Sequence, residues 1–170
     1  EMLEIFSALL RIAQIEARAQ KSAFATVYVS ELARSVGEAY LPAAEDSQHR
    51  LMLEIQDGVT FNGDRQLLAQ MLSNLIENAL HHTPAGTIVT VTVRKPAGKL
   101  EIEVADTGPG IPQPERDKVL ERFYRLDRSR GTAGSGLGLA LVKAIAGLHG
   151  LSIRLEERTP GLAVVIGRSS

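Results

Sequence analysis

One stretch constrains this chain more than any other: residues 67–84, reading LLAQMLSNLIENALHHTP. Its apolar residues (Leu67, Leu68, Met71, Leu72, Leu75, Ile76, Ala79, Leu80) recur at three- and four-residue steps, which predicts a helix with one buried stripe. Asp64 is placed to cap its start and Pro84 to stop it. Asn74 and Asn78 are four residues apart, so they project from one face on successive turns. Two primary amides beside an apolar stripe are costly to bury unless something fills their hydrogen-bonding capacity. His81 and His82 follow on the next turn. Either this face is one wall of a pocket for a polar ligand or both amides simply face water, and the helix alone leaves the two readings open.

Two further stretches favour the pocket. Residues 106–111, DTGPGI, end an alternating run of Leu100, Ile102 and Val104, putting a carboxylate at a strand end. The glycines at 108 and 110 beside it let a backbone approach a ligand closely. Residues 131–141, GTAGSGLGLAL, carry Gly134, Gly136 and Gly138 into the helical pattern of Leu139, Leu141, Val142, Ile145 and Leu148. Glycines that open a helix expose free N–H groups at its positive end, where phosphate binds. Between them, residues 121–130 (ERFYRLDRSR) hold four arginines.

The order of these boxes, Asn-x-x-x-Asn helix, Asp-x-Gly-x-Gly strand end, Phe-Tyr-Arg, then Gly-x-Gly-x-Gly, resembles the ATP-binding catalytic domain of bacterial two-component sensor histidine kinases. These belong to the gyrase, chaperone, histidine kinase and mismatch-repair ATPase superfamily with the Bergerat fold. The resemblance covers residues 25–168. A lone glycine motif would carry little weight; four boxes in order carry much.

The rest of the chain is consistent with that. Its 170 residues fit one domain and a short appendage, and 44% hydrophobic with 23% charged residues is ordinary for a globular protein. A net charge of −1 gives no electrostatic pointer to nucleic acid, and the lack of Cys excludes disulfides and thiolate metal sites. Residues 1–20 place Met2, Ile5, Phe6, Leu9, Leu10, Ile12 and Ala13 in a stripe too polar and interrupted to span a bilayer. The resemblance implies that residues 1–22 are the C-terminal part of a dimerisation and phosphotransfer hairpin plus linker, and 23–170 the ATP-binding domain. An orphaned apolar face would follow, with homodimerisation through residues 2–13. A start without an initiator Met leads us to expect an excised cytoplasmic fragment of a protein anchored in the bacterial inner membrane.

In order, we expect a strand at 24–29 and a helix at 31–44 capped by Ser30, with Pro42 near its end. Strands follow at 51–55 and 59–61 around Asp57-Gly58. A hairpin of 87–95 and 99–105 turns at Pro96-Ala97-Gly98, and a second hairpin of 151–156 and 162–166 turns at Pro160-Gly161. Helices covering one face of a mixed sheet give a two-layer α/β sandwich: about five mostly antiparallel strands, about three helices, and the N-terminal helical appendage.

The resemblance also assigns roles. Asp106 accepts a hydrogen bond from the adenine amino group, and a carboxylate, being acceptor-only, suits adenine over guanine. Gly108 and Gly110 admit the base and Ile111 covers it. Asn78 ligates Mg²⁺ through its amide oxygen, the donor type magnesium prefers. Asn74 assists through the phosphates or a metal-bound water, while Glu77 beside them is equally well a solvated acid. Tyr124 and Arg125 form the aromatic-Arg element, with Arg125 neutralising charge on the γ-phosphoryl. Gly134, Ser135, Gly136, Leu137, Gly138 and Leu139 form the base of a lid over 112–135, with N–H groups on the phosphates and the leucines anchored in the core. The catalytic pair is then Arg125 and Asn74. His81 stands where the family often carries Lys, and His82 where an aromatic is common, so nucleotide affinity should vary with pH near neutrality.

The expected activity is transfer of the γ-phosphoryl of Mg-ATP to a histidine of the hairpin, for relay to a response regulator Asp. None of His49, His81, His82 and His149 sits in the setting of a phosphoacceptor, so this chain alone should not autophosphorylate. The usual Gly-Thr before the last strand is reduced to Thr159-Pro160-Gly161. Alternatives are a nucleotide-binding regulatory module without turnover, or an anti-sigma-factor-like Ser/Thr kinase. A dinucleotide-binding oxidoreductase fails, because no strand precedes Gly134 and no acid follows at the right distance.

Overall fold

The structure is a computed structural model that describes residues 10, 12, 13, 24–121, 123, 124 and 136–168. The described elements are β1 (Ala25–Tyr28), α1 (Val29–Asp46), β2 (Arg50–Ile55), β3 (Thr60–Gly63), α2 (Arg65–His82), β4 (Ile88–Arg94), β5 (Glu101–Asp106), α3 (Gly138–Leu148), β6 (Ser152–Glu157) and β7 (Leu162–Gly167). β2, β4, β5, β7 and β6 form one sheet in that order. The β2–β4 pair is parallel and the other three antiparallel. The expected two-layer sandwich is what the chain builds.

Binary pattern explains the layers. Along β4 and β5, Val89, Val91, Val93, Ile102 and Val104 are buried while the residues between them are not. This period of two turns one face toward the helices. The helices answer with Leu68, Met71, Leu72, Leu75 and Ile76 of α2 and Leu141, Val142 and Ile145 of α3, all in the same core cluster. The opposite face is held by charge. Arg94 Nε donates to Glu101 at 2.7 Å, and Arg158 donates to Glu103 at 2.9 Å. In β7 every residue is buried: Ala163 and Val165 lie on this charged face, flanked by Glu103, Arg154 and Glu156 through the strand register.

Three expectations change. The strand after Asp57-Gly58 does not fold back on β2 but pairs antiparallel with β1, making a separate two-stranded sheet. Ser30 does not cap α1. The helix begins one residue earlier, and no side chain caps it at Tyr28. Ser30 is buried instead; its hydroxyl donates to Gln56 O at 2.6 Å and accepts from Val59 N at 2.9 Å. Two buried backbone groups of the β2–β3 turn needed partners, and that need outweighs capping. Pro42 lies near the end of α1 as expected, but the helix runs past 44 to Asp46.

Asp64 caps α2 as expected, accepting from Gln66 N at 2.9 Å and Leu67 N at 3.1 Å. Of the N-terminal stripe, Ile12 is 1% exposed and joins the core cluster, whereas Leu10 is 49% exposed. The other stripe residues, apart from the exposed Ala13, lie outside the described residues.

Candidate nucleotide site

The site is built where α2, the end of β5 and the start of α3 meet. β5 pairs with β4 on one side and β7 on the other, and the register sets Asp106 opposite Val89 and Leu162. The Asp106 carboxylate is therefore delivered at a strand end, half-buried. Its Oδ1 accepts from Gly108 N at 2.8 Å. Burial raises its pKa above the ordinary carboxylate value, and the N–H groups of Gly108 and Leu162 oppose that rise.

The glycines here keep side-chain volume out. A Cβ on Gly108 would stand 2.7 Å from Thr83 Cγ2, so this loop lies directly on the C-terminal cap of α2. Thr83 is itself fixed: its hydroxyl donates to Ala79 O at 2.7 Å and lies 2.9 Å from His49 Nε2. Beyond the loop, Arg116 Nε donates to Ile111 O at 2.9 Å, and its other end reaches Glu157 at 3.2 Å. Ile111 and Tyr124 are half-buried against the core.

The amides of α2 meet α3. A Cβ on Gly138 would lie 3.7 Å from Asn78 Oδ1, which puts the Asn78 amide oxygen beside the first residue of α3. No side chain caps that end of α3. The first N–H groups of a helix have no partner within it, and here they lie at the positive end of the helix dipole. One turn back on α2, Asn74 Nδ2 is buried with no hydrogen-bond partner. A buried amide donor without an acceptor is rare and signals a missing partner. Leu137 and Leu139 are buried in the core, and Phe123 N donates to Gly136 O at 3.0 Å.

Of the sequence-derived site residues, Asn74, Asn78, Asp106, Gly108, Gly110, Ile111, Tyr124, Gly136, Leu137, Gly138 and Leu139 belong to these three elements and the loops that join them. Arg125, Gly134 and Ser135 lie outside the described residues. His81 and His82 are both exposed on the last turn of α2. Glu77 is turned toward α1, where Tyr40 donates to it at 2.5 Å. That contact, with desolvation the larger cause, raises the tyrosine pKa. Among the described residues no cluster of three His, Cys, Asp or Glu side chains could hold a metal ion. Any cation here would rest on amide oxygens and its ligand's own oxygens.

Sequence reasoning missed Thr83, Arg116 and Gly161. Gly161 has φ +115°, and a Cβ there would sit 1.7 Å from the backbone oxygen of Asp106. The Pro-Gly pair at 160–161 was the only signal available for it.

Residues 63–167 match the family of histidine kinase-, DNA gyrase B- and HSP90-like ATPases. The sensor-like histidine kinase SenX3 of Mycolicibacterium smegmatis is 35% identical over 94% of this chain and 42% of its own length. The full-length crystal structure of ShkA in complex with AMPPNP is 28% identical, with a TM-score of 0.85 over 98% of this chain and 35% of that one. The mycobacterial sensor histidine kinase MprB is 30% identical, with a TM-score of 0.73 over 86% of this chain and 99% of that one. The chain spans less than half the length of the SenX3 relative. No helix among the described residues is long and apolar enough to cross a membrane. By the extent of the family match and the company of these relatives, the chain belongs to the histidine kinase-, DNA gyrase B- and HSP90-like ATPases, among which it stands with the sensor histidine kinases.

Proposed function

We propose that residues 23–170 bind Mg-ATP and donate its γ-phosphoryl group to a histidine on a dimerisation hairpin, whose second helix ends in residues 1–22, for relay to a response regulator. The observation that carries this reading is the buried, partnerless Nδ2 of Asn74, one turn from Asn78 under the uncapped start of α3. A donor, an amide oxygen and free N–H groups together suit a triphosphate and its cation. The AMPPNP complex of the similar ShkA structure adds support.

Asp106 accepts from the exocyclic amino group of adenine, while Gly108 and Gly110 keep the floor clear and Ile111 packs on the base. The donor set fits magnesium: Asn78 Oδ1 is a neutral oxygen, and the remaining ligands would be phosphate oxygens and water. Bound there, Mg²⁺ would supply charge neutralisation at the phosphates. Asn74 Nδ2 donates to a phosphate oxygen or a metal-bound water. The N–H groups that open α3 bind the β- and γ-phosphates. In the transfer, an imidazole nitrogen of the acceptor bonds to the γ-phosphorus, the bond from phosphorus to the β–γ bridging oxygen breaks, and ADP leaves. Arg125 stabilises the charge that develops. The exposed Leu10 gives apolar surface for the hairpin or a second copy.

The test is titration of this chain with ATP and GTP, each with and without Mg²⁺, repeated on Asp106→Asn and Asn78→Ala. A hydrogen bond to a charged group contributes about 1.5–3 kcal/mol, so Asp106→Asn should weaken ATP roughly 10- to 150-fold. Asn78→Ala should abolish the Mg²⁺ dependence. Failure of the unaltered chain to bind nucleotide, or equal affinity for ATP and GTP, would reject the reading.

A further inference from the structure

At the other end of the sheet lies a second cavity of about 460 Å³. β5 separates it from the nucleotide site: Lys99 and Leu100, just before the strand, line the cavity, while Asp106 ends the strand. At about 3.4 Å per residue that is roughly 20 Å. The volume falls within the range of small-ligand sites.

Among the described residues that line the cavity, those with a fixed charge are all cations, Lys95, Lys99 and Arg168, and none is a carboxylate. Lys95 Nζ donates to the carbonyl of Thr60 at 3.0 Å, a neutral partner. Among the described residues, Lys99 and Arg168 form no ion pair and no side-chain hydrogen bond. Their behaviour differs from that of the arginines on the open face of the sheet, where Arg94, Arg154 and Arg158 are all matched by Glu101, Glu103 or Glu156. Acids stand beside those arginines, and among the described residues none stands beside the cavity.

The opposite wall is made of neutral hydrogen-bonding groups. Thr26, Thr60 and Asn62 come from one face of the two-stranded sheet, since Thr26 pairs with Asn62 and Tyr28 with Thr60. Among the described residues, none of these three side chains is engaged in a hydrogen bond. The back of the cavity is rigid. His149 is buried, with Nδ1 2.8 Å from Ile145 O, and its Nε2 accepts from Asp64 N at 3.0 Å; Phe24 stacks on its ring at 4.7 Å. Three cations and three uncommitted neutral groups around one rigid space match a multiply charged anion. Donors that approach from separate elements suit tetrahedral phosphate oxygens better than a planar carboxylate.

We propose that this cavity is a second ligand site, for a small anion bearing two or more phosphate groups, independent of the nucleotide site. The position of Phe24 at its back puts such a ligand against the point where the chain leaves residues 1–22 and enters the sheet.

The test is amide-resolved NMR titration of the chain with inorganic tripolyphosphate in the absence of Mg²⁺, with citrate as a parallel arm. The expected result is saturable shifts at the amides of Thr26, Thr60, Asn62, Gly98 and Lys99. These should weaken at least tenfold in Lys95→Gln/Lys99→Gln/Arg168→Gln and persist in Asn78→Ala. All three replacements are at the surface or its edge, and an unchanged far-UV circular dichroism spectrum checks the fold of the triple variant. The phosphate assignment is overturned if citrate binds as tightly as tripolyphosphate. The site itself is overturned if neither anion gives saturable shifts at these amides, or if the triple variant keeps them. Shifts confined to α2 and the start of α3 would also count against it, because they would report the nucleotide site alone.

Discussion

Gly161→Ala is the sharpest test of how the Asp106 carboxylate is held. Gly161 has φ +115°, a region that side chains avoid. An added Cβ would stand 1.7 Å from the Asp106 backbone oxygen and 2.7 Å from its carbonyl carbon. No rotamer relieves a backbone clash, so the start of β7 must move away from the end of β5. The backbone strain costs about 1–3 kcal/mol, and overpacking adds about 1–3 kcal/mol. Together that is roughly 2–6 kcal/mol, taken from a total stability of about 5–15 kcal/mol. For a chain of this size each kcal/mol lowers Tm by about 2–4 °C, so calorimetry should show a fall of roughly 5–20 °C. ATP affinity, measured well below the variant's Tm, should fall as well, because Asp106 pairs in register with Leu162 and moves with it. Gly110→Ala approaches the same contact from the other side, with a Cβ 2.9 Å from Gly161 O, and should act in the same direction by less. A Gly161→Ala chain that melts within about 2 °C of the parent would refute the packing argument. Normal stability with lost ATP binding would refute the claim that fold and site share this contact.

Two further outcomes follow from the polar groups. His149→Phe preserves an aromatic ring against Phe24 but leaves Asp64 N–H without its acceptor. It should cost about 1–3 kcal/mol, read as a lower urea midpoint, and an unchanged midpoint would show that the contact contributes nothing. Asp106 presents a conflict between stability and function. Burial raises its pKa, so the folded state favours the protonated carboxyl. That stability is present below the ordinary carboxylate pKa of about 3.9 and is lost as pH rises through the raised value. Asp106→Asn removes the buried charge and retains an oxygen for Gly108 N–H. It should therefore raise Tm at pH 7, and raise it less at pH 4, while weakening ATP; a lower Tm at pH 7 would overturn this.

How far the sequence could be read depended on the range of the interaction concerned. The α2 stripe, its Asp64 cap, and the alternation of β4 and β5 arise from residues within a few positions of each other, and all appear as the pattern predicts. The pairing of β3 does not. A four-residue strand after Asp57-Gly58 has turn chemistry that suits folding back on β2, and nothing local says it will cross to β1. What decides is the start of α1, where Val29 N and Ser30 engage Val59. The same serine has the chemistry of a cap, and it lost that role to tertiary partners that no window of sequence contains.

The site divides along the same line. Asp106, Asn74 and Asn78 stand out in the sequence because, on the proposed function, a ligand dictates their spacing and residue type. Thr83, Arg116 and Gly161 are different: each holds a ligand-facing segment in place through contact with a segment distant in sequence. Thr83 backs Gly108, Arg116 ties Ile111 O to the end of β6, and Gly161 closes on Asp106. Their residue types are what packing happened to require, so another member of the family could meet the same need with other residues. Position 161 is a glycine because the backbone of Asp106 leaves no room for a side chain. The position after it is Leu162, buried and 7% exposed, whose contribution to Asp106 comes from its backbone N–H. A backbone donor is indifferent to the side chain it carries, so a leucine at 162 supports the carboxylate as well as another residue would.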